Sequence, residues 1–427
     1  MSPAVVLIGL FLLSALAGIP IAFCLAISSL VTTWYMGFPA VVVAQRIATG
    51  LQSFPLIAIP LFVLAGSIMA KGGVARRIVD FAYIIVGQFR GGLAMVNCIQ
   101  SMLFGGVSGS AIADISSTGP IMIPMMRQKG YDNEFSTALT VASATQGIII
   151  PPSHNIIIYA MAAGGVSVGR LFLAGYIPGI IIGVSLMITS YIIAVRRGYP
   201  RETRPPLREC VRIAVDGLLA VLAAFIIVGG IAFGVFTATE ASAIAVIYAA
   251  FLGLFVYREL KLRDLWPILI ESVKTISTVL FLIASASAFA WLLTRLQVPA
   301  AVMGAMLSIT DNPIIVLLLI NVLLIFLGML MDVAPLIVIA TPILLPVVVA
   351  AGMSPVTFGI VLLLNLGIGL TTPPVGTGLF VGCAVGNTTV EKTTRAMIAF
   401  WPAMIITLLL ATFIPALTTF LPALIMD

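Results

Sequence analysis

Charged residues are scarce in this sequence: Asp, Glu, Lys and Arg make up 8% of 427 residues, against about a quarter in an ordinary soluble chain. With 61% hydrophobic residues and a mean hydropathy of +1.22, the chain belongs in a bilayer. Histidine occurs once, at His154, which rules out a two-histidine metal or haem site, and no H-E-x-x-H is present. No G-x-x-x-x-G-K-[ST] loop occurs, so this chain does not hydrolyse ATP. Cys24, Cys98, Cys210 and Cys383 are scattered without metal or disulfide spacing and read as packing residues. The opening Met1-Ser2-Pro3 lacks the basic region of a secretory signal, so none is expected. No polar stretch is large enough for a ligand-collecting soluble domain.

What is there is one apolar run after another, continuous rather than alternating, as helices require and barrel strands do not. Crossings are expected at about 3–17, 20–36, 51–70, 134–163, 170–195, 213–233, 238–257, 266–294, 355–386 and 396–424. Two further runs, 91–127 and 313–349, carry a break in the middle, Gly105 to Ser110 and Gly328 to Asp332, and read as re-entrant hairpins. The net charge of +6 sits in short polar segments such as Arg76-Arg77, Arg127 to Lys129, Arg196 to Arg212 and Arg258 to Arg263. These are cytoplasmic loops by the positive-inside rule, and no nucleic-acid partner is expected. Amphipathic stretches at 73–86 and 298–309 read as interfacial arms.

The helix-breaking pattern occurs twice. Pro120, Pro124, Gly130, Gly147, Pro151, Pro152 and Gly164 return as Pro342, Pro346, Gly352, Gly369, Pro373, Pro374 and Gly386, each 222 positions later. Duplicated breaks in a membrane chain point to a secondary transporter with its site at the breaks. The expected organisation is a first repeat over 1–195 (hairpin 91–127, broken helix 134–163), a cytoplasmic linker over 196–212, and a second repeat over 213–427 (hairpin 313–349, broken helix 355–386). Five crossings and a hairpin per half make the repeats inverted. The first hairpin's base carries Arg90, Arg127 and Lys129, whereas the second's has Asp311 and no nearby lysine. The fold class is thus all-α integral membrane, with re-entrant hairpins and discontinuous helices.

The first break region, Phe104 to Asp114, combines glycines with Ser108 and Ser110 and opens a helix whose N-terminus attracts anions. In Gln146 to Asn155 the Pro151-Pro152 pair must stop a helix near Ile149 and restart it near Ser153. Carbonyls freed there, at Gly147 and Ile150, cost several kcal/mol if bare in lipid, and Na⁺, a hard cation, is one way to satisfy them. Gly369 to Thr377 is the counterpart, facing Gly328 to Asp332. Substrate candidates are Ser110, Asp114, His154, Asn155 and Thr377, with structural hydrogen bonding and helix capping as the competing roles for His154, Asp114 and Asp332. Glu240 in Thr237-Ala238-Thr239-Glu240 reads as a helix-start residue.

At these residues the chain resembles the large membrane subunit of tripartite ATP-independent periplasmic (TRAP) transporters, nearly end to end. The most specific pieces are Ser108-Gly109-Ser110-Ala111-Ile112-Ala113-Asp114, Gly328-Met329-Leu330-Met331-Asp332 followed by Thr341-Pro342-Ile343-Leu344-Leu345-Pro346, the two Pro-Pro breaks, and Phe172 to Gly179. The resemblance implies a multi-pass, elevator-type importer of the bacterial inner membrane, akin to divalent-anion/sodium symporters and driven by a sodium gradient. Family sodium sites map onto Ser108, Ser110, Gly147, Ile150 and Pro152, and onto the tip of Gly328, Met331 and Asp332 with Gly369, Thr372 and Pro374. The implied partners are a separate small membrane subunit of about four helices and a periplasmic binding protein delivering an organic acid. Na⁺ is the coupling ion, with no other cofactor and no transition metal. Here Pro-Pro-Ser is followed by His154-Asn155 where the family commonly has Ile-Pro, which adds hydrogen-bonding capacity and points to a hydroxyl-rich substrate such as a sialic acid; the expected organic acid is a sialic acid or other sugar acid, or a C4-dicarboxylate. The competing readings are a stand-alone sodium/dicarboxylate symporter and an intramembrane enzyme using His154.

Overall fold

The structure is a computed structural model that describes residues 2–201 and 206–426, and their side chains except those of Phe54, Val107, Leu307 and Ile309. Met1, Arg204 and Pro205, drawn on above, lie outside the described residues. The first half gives α1 (Pro3–Leu16), α2 (Ile21–Tyr35), α3 (Val41–Gly50), α4 (Ala58–Lys71), α5 (Val74–Val86), α6 (Gly92–Ser108), α7 (Ala111–Gln128), α8 (Asn133–Ala144), α9 (Gln146–Ile149), α10 (His154–Ala162) and α11 (Val168–Arg197). The second gives α12 (Leu207–Ala232), α13 (Ala238–Phe251), α14 (Leu262–Arg295), α15 (Val298–Ile309), α16 (Pro313–Leu330), α17 (Val333–Ala350), α18 (Pro355–Leu370), α19 (Thr377–Gly386), α20 (Val390–Met397), α21 (Trp401–Phe413) and α22 (Ala416–Met426). Among the described residues six helices are long and apolar enough to cross a membrane, or eight if two bent pairs each count as one span.

Both hairpins form, α6–α7 and α16–α17, and both broken helices stop where the Pro-Pro pairs dictate. The first ends at Ile149 and resumes at His154, and the second ends at Leu370 and resumes at Thr377. The helix starts are built from local chemistry. Thr237 and Glu240 close a reciprocal capping box on α13, with Glu240 Oε2 accepting from the Thr237 N–H at 2.8 Å, which is the helix-start role expected of Glu240.

Several expectations need correction. The run expected as a crossing over 51–70 is a short 3-10 turn, Phe54–Ile57, leading into α4, and the bend between α3 and this segment is 69°. Pro55 is the cause, since it cannot continue the ladder from Gly50. The run at 396–424 is divided among α20, α21 and α22, with a 55° bend between the first two. The linker is shorter than 196–212, because α11 runs to Arg197 and α12 starts at Leu207.

A larger correction concerns the glycines of the hairpins. The turns fall at Gly109-Ser110 and at Met331-Asp332, so Gly105, Gly106 and Gly328 are helical. Gly105 and Gly328 serve a crossing instead. A methyl group on Gly105 would lie 2.4 Å from the Cα of Gly147, and one on Gly369 would lie 2.5 Å from the carbonyl carbon of Gly328. Each hairpin arm therefore touches its broken helix backbone to backbone, the approach that small residues permit in membranes.

Packing groups the helices by kind rather than by repeat. α14 lies against α2, α3 and α4, α13 against α4, and α12 against α5, which makes an outer frame from both halves. Inside it α19 packs on α7 and α8, α20 on α8, α17 on α10, and α11 on α18, α21 and α22. The hairpin tips meet at one cavity between these bodies, as two inverted halves require.

Gly369→Ala is expected to lower the melting temperature of the purified protein by several degrees, through overpacking of about 1–3 kcal/mol. Gly304→Ala on α15, with nothing within 4 Å of the added methyl, should leave it unchanged or slightly higher. Equal shifts in the two melts would show that the crossing is not tight.

Candidate functional site

The first tip is assembled by its own backbone. Gly109 ends α6 in the left-handed region at φ 65°, and its N–H donates to the Gly105 carbonyl at 2.7 Å. Ser110 then starts α7 in extended conformation, its Oγ accepting from the Ala113 N–H at 3.3 Å. The carbonyl of Gly109 is gripped by the resumed half of the broken helix: Asn155 Nδ2 donates to it at 3.0 Å and Ser153 Oγ at 3.4 Å. Ser153 Oγ also reaches the Ile148 carbonyl, freed at the break, at 2.8 Å.

The second tip reaches the same end with different chemistry. Asp332 stands where the first repeat has Ser110 and caps α17, its Oδ1 accepting from the Val333 N–H at 2.9 Å. The break holds the tip through backbone, with the N–H groups of Val375 and Gly376 both donating to the Met329 carbonyl at 3.2 Å. Thr377 Oγ1 donates to Asp332 Oδ1 at 3.4 Å, and Thr372 Oγ1 to the Ile368 carbonyl at 2.7 Å. The carbonyls of Gly109, Ile148, Met329 and Ile368 are thus taken by neighbouring donors, and these are not the Gly147 and Ile150 carbonyls singled out in the sequence.

The two tips line one cavity of about 590 Å³. Ser108, Ser110, Ile148, His154 and Asn155 contribute from the first half, Asp332 and Leu370 from the second. Ser110 with Asp332 and Ile148 with Leu370 are pairs related by the 222-residue offset, so the cavity lies where the repeats face each other. Gly147 lies in α9 and Gly369 in α18, Ile150 and Pro152 lie in the first break and Thr372 and Pro374 in the second, and none of these, nor the expected substrate residue Thr377, is in the cavity lining. His154 Nδ1 has no hydrogen-bond partner among the described residues, and Asn155 spends its amide hydrogen on Gly109.

Asp114 is a correction. Expected at the substrate, it is absent from the cavity lining and is fully buried on the opposite face of α7, where Thr118 Oγ1 donates to its Oδ1 at 3.0 Å. Ile112, Ala113, Ser116 and Ser117 face the cavity instead. Helical spacing from Ser110 would have found Ser117, two turns on. The opposite wall, from α4 and α14, had no sequence signal. There Lys71 Nζ pairs with Glu271 Oε2 at 2.5 Å, flanked by Ser67 and Thr275. Lys71 is the one cationic side chain in the lining.

The electrostatics of the tips are unequal. α7 and α17, 18 residues each, both begin at the cavity and carry partial positive charge there. At the first tip the cap is the neutral Ser110, and the one acidic group of the first turn, Asp114, is buried and outside the lining, so the tip itself presents donors to an anion. Asp332 answers the charge of α17 with a carboxylate, so the second tip accepts hydroxyl or amide donors, or a cation, rather than an anion.

Comparison with known proteins agrees with this architecture. Residues 7–417 match the family described as Tripartite ATP-independent periplasmic transporter, DctM component. The sialic acid TRAP transporter large permease protein SiaM of Vibrio cholerae is 39% identical over 96% of each chain. The C4-dicarboxylate TRAP transporter large permease protein DctM of Pseudomonas aeruginosa is 40% identical over 87% of each. The crystal structure of the Alcanivorax borkumensis YdaH transporter shares the fold, with a TM-score of 0.63 at 13% identity, covering 86% of this chain and 87% of that one. With a cavity framed by two hairpin tips and two interrupted helices, and relatives aligned along nearly its whole length, the chain belongs to the large-permease (DctM) family of TRAP transporters, multi-pass proteins of the inner membrane that are transporter components and not enzymes.

Proposed function

We propose that this chain imports a hydroxylated organic acid, coupled to Na⁺, taking it from a periplasmic binding protein and working beside a separate small membrane subunit. The observation that carries this reading is the unequal pair of helix starts in one cavity, Ser110 on α7 and Asp332 on α17. The substrate's carboxylate sits at the first tip, where the amides of α7 and the Ser110 hydroxyl are donors. Its hydroxyls turn toward Asp332, which accepts from them, with Thr377 holding the carboxylate. The His154 ring and the hydroxyls of Ser116 and Ser117 line the same cavity and add further contacts. A sugar acid fits this chemistry better than a C4-dicarboxylate, whose second carboxylate would face Asp332 and Glu271.

Na⁺ ions occupy the two crossings of hairpin and broken helix. Oxygens of Ser108, Ser110, Gly147, Ile150 and Pro152 hold one, and those of the tip at Gly328, Met331 and Asp332 with Gly369, Thr372 and Pro374 hold the other. Each ion ties a tip to a break, so the tip is ordered for substrate only when the ion is bound, which is coupling by differential stability. The inner body then slides against the α4–α14 wall and carries the cavity across. The close passage of α4 by the first tip supports this, since a methyl group on Gly66 would lie 3.3 Å from the Cα of Ser108.

Reconstitution in liposomes with both partners tests the reading. Ser110→Ala is expected to reduce uptake at least tenfold and to raise the Na⁺ concentration for half-maximal transport, and Asp332→Asn to do the same while the protein stays folded. Unchanged sodium activation in both would remove the tips from the mechanism. Robust uptake of a dicarboxylate by the chain alone would instead favour a self-sufficient symporter.

Gly66→Leu places a bulky side chain in the sliding plane. Transport should fall more than tenfold with Na⁺-dependent stabilisation retained. Wild-type uptake by that variant would argue against sliding along α4.

A further inference from the structure

Asp114 lies apart from the cavity and has no part in the function proposed above. It is fully buried, and among the described residues no ion pair involves it. Its polar neighbours are the neutral side chains of Gln100, Ser101 and Thr118, and Thr118 Oγ1 donates to its Oδ1 at 3.0 Å. These continue into α8, where Ser101 Oγ donates to Ser143 Oγ at 3.2 Å and Asn97 Nδ2 to Thr140 Oγ1 at 2.7 Å. The cluster is short of donors. Asp114 Oδ2 and Gln100 Oε1 both lack a hydrogen-bond partner, although each belongs to a residue with no exposed surface. A buried carboxylate without a counter-charge is costly.

The fold does not require this polarity. The second repeat carries Leu336 where the first has Asp114, Ala340 for Thr118 and Leu362 for Thr140, and all three are buried in ordinary apolar packing. Its own buried amides, Asn365 donating to Asn321 at 2.9 Å, form a neutral pair. One half therefore holds a buried carboxyl group among polar side chains where its duplicate holds leucine and alanine, so a structural role common to both halves does not account for it.

We propose that Asp114, Gln100 and Thr118, with the hydroxyl of Ser101, hold a Na⁺ ion inside the inner body, separate from the cavity and from the two crossings. A hard monovalent cation takes several oxygen ligands at once and supplies the missing positive charge. A proton on Asp114 is the competing occupant, since it would cancel the charge and turn Oδ2 into a donor, and the test below separates the two. The ion joins α6 and α7 on the face of α7 turned away from the cavity, so its binding stiffens the first hairpin from behind and leaves the second untouched.

The test counts ions on the full-length, substrate-free protein, by equilibrium binding of radioactive sodium and by the dependence of melting temperature on Na⁺ at constant ionic strength with choline. Asp114→Asn is expected to bind one Na⁺ fewer per chain and to show a shallower rise of melting temperature with the logarithm of Na⁺ concentration. Asp114→Leu/Thr118→Ala, which installs the second repeat's residues, should lose the same ion and melt no lower than wild type without Na⁺. It reports even if the Asn variant fails to fold. A Ser110→Ala/Asp332→Asn variant should keep this ion, which separates the proposal from the cavity reading: loss of an ion in the Asp114 variants alone supports the inner site even if the tips hold none. An unchanged ion count in both Asp114 variants overturns the proposal. So does an unchanged Na⁺ response accompanied by loss of a pH-dependent melting shift, which would make the occupant a proton.

Discussion

Peptide N–H and C=O groups need partners wherever water is excluded, and the rest of this structure follows from how that need is met. Most of the chain meets it by staying helical. At Ile150 to Ser153 and at Thr371 to Gly376 it cannot, because a proline pair interrupts the ladder. The two hairpins are brought to these gaps and share donors with them: Ser153 and Asn155 reach Gly109, while Val375 and Gly376 reach Met329. Tip and break are two halves of one satisfied unit. That is why the crossing glycines have no room for a side chain, and why the polar cavity lies where the units face each other.

The duplicated unit is not used identically. Its first copy fixes the tip through side chains and begins its second arm with a neutral serine, whereas its second copy uses backbone donors and begins with aspartate. This divergence gives the cavity a direction. An anion has a preferred end, and a hydroxyl-rich body has the other. Inverted repeats alone would have produced a site indifferent to which way a ligand lies.

Much of this was legible in the chain. The positions of the hairpins and of both interruptions follow from proline and glycine spacing, because those residues act through local backbone geometry. Asp114 was misplaced because four residues separate it from Ser110, slightly more than one turn, and the sequence does not say which face of α7 looks into the cavity. The glycines were misread as turn residues because a glycine needed for close approach and a glycine needed for φ > 0 look alike in a sequence. Only the packing of Gly105 on Gly147 tells them apart. Lys71 and Glu271 lie 200 residues apart and meet through tertiary structure alone.

α11 is an unbroken rod of 30 residues, while the stretch that matches it in the second half is cut into α20, α21 and α22 with a 55° bend. Duplication gave the two halves a common plan but not a common stiffness. A jointed strut yields at its elbow under a load that a straight one passes on undiminished. For the sliding proposed above, the approach to the two membrane faces would then not be a mirror-image journey.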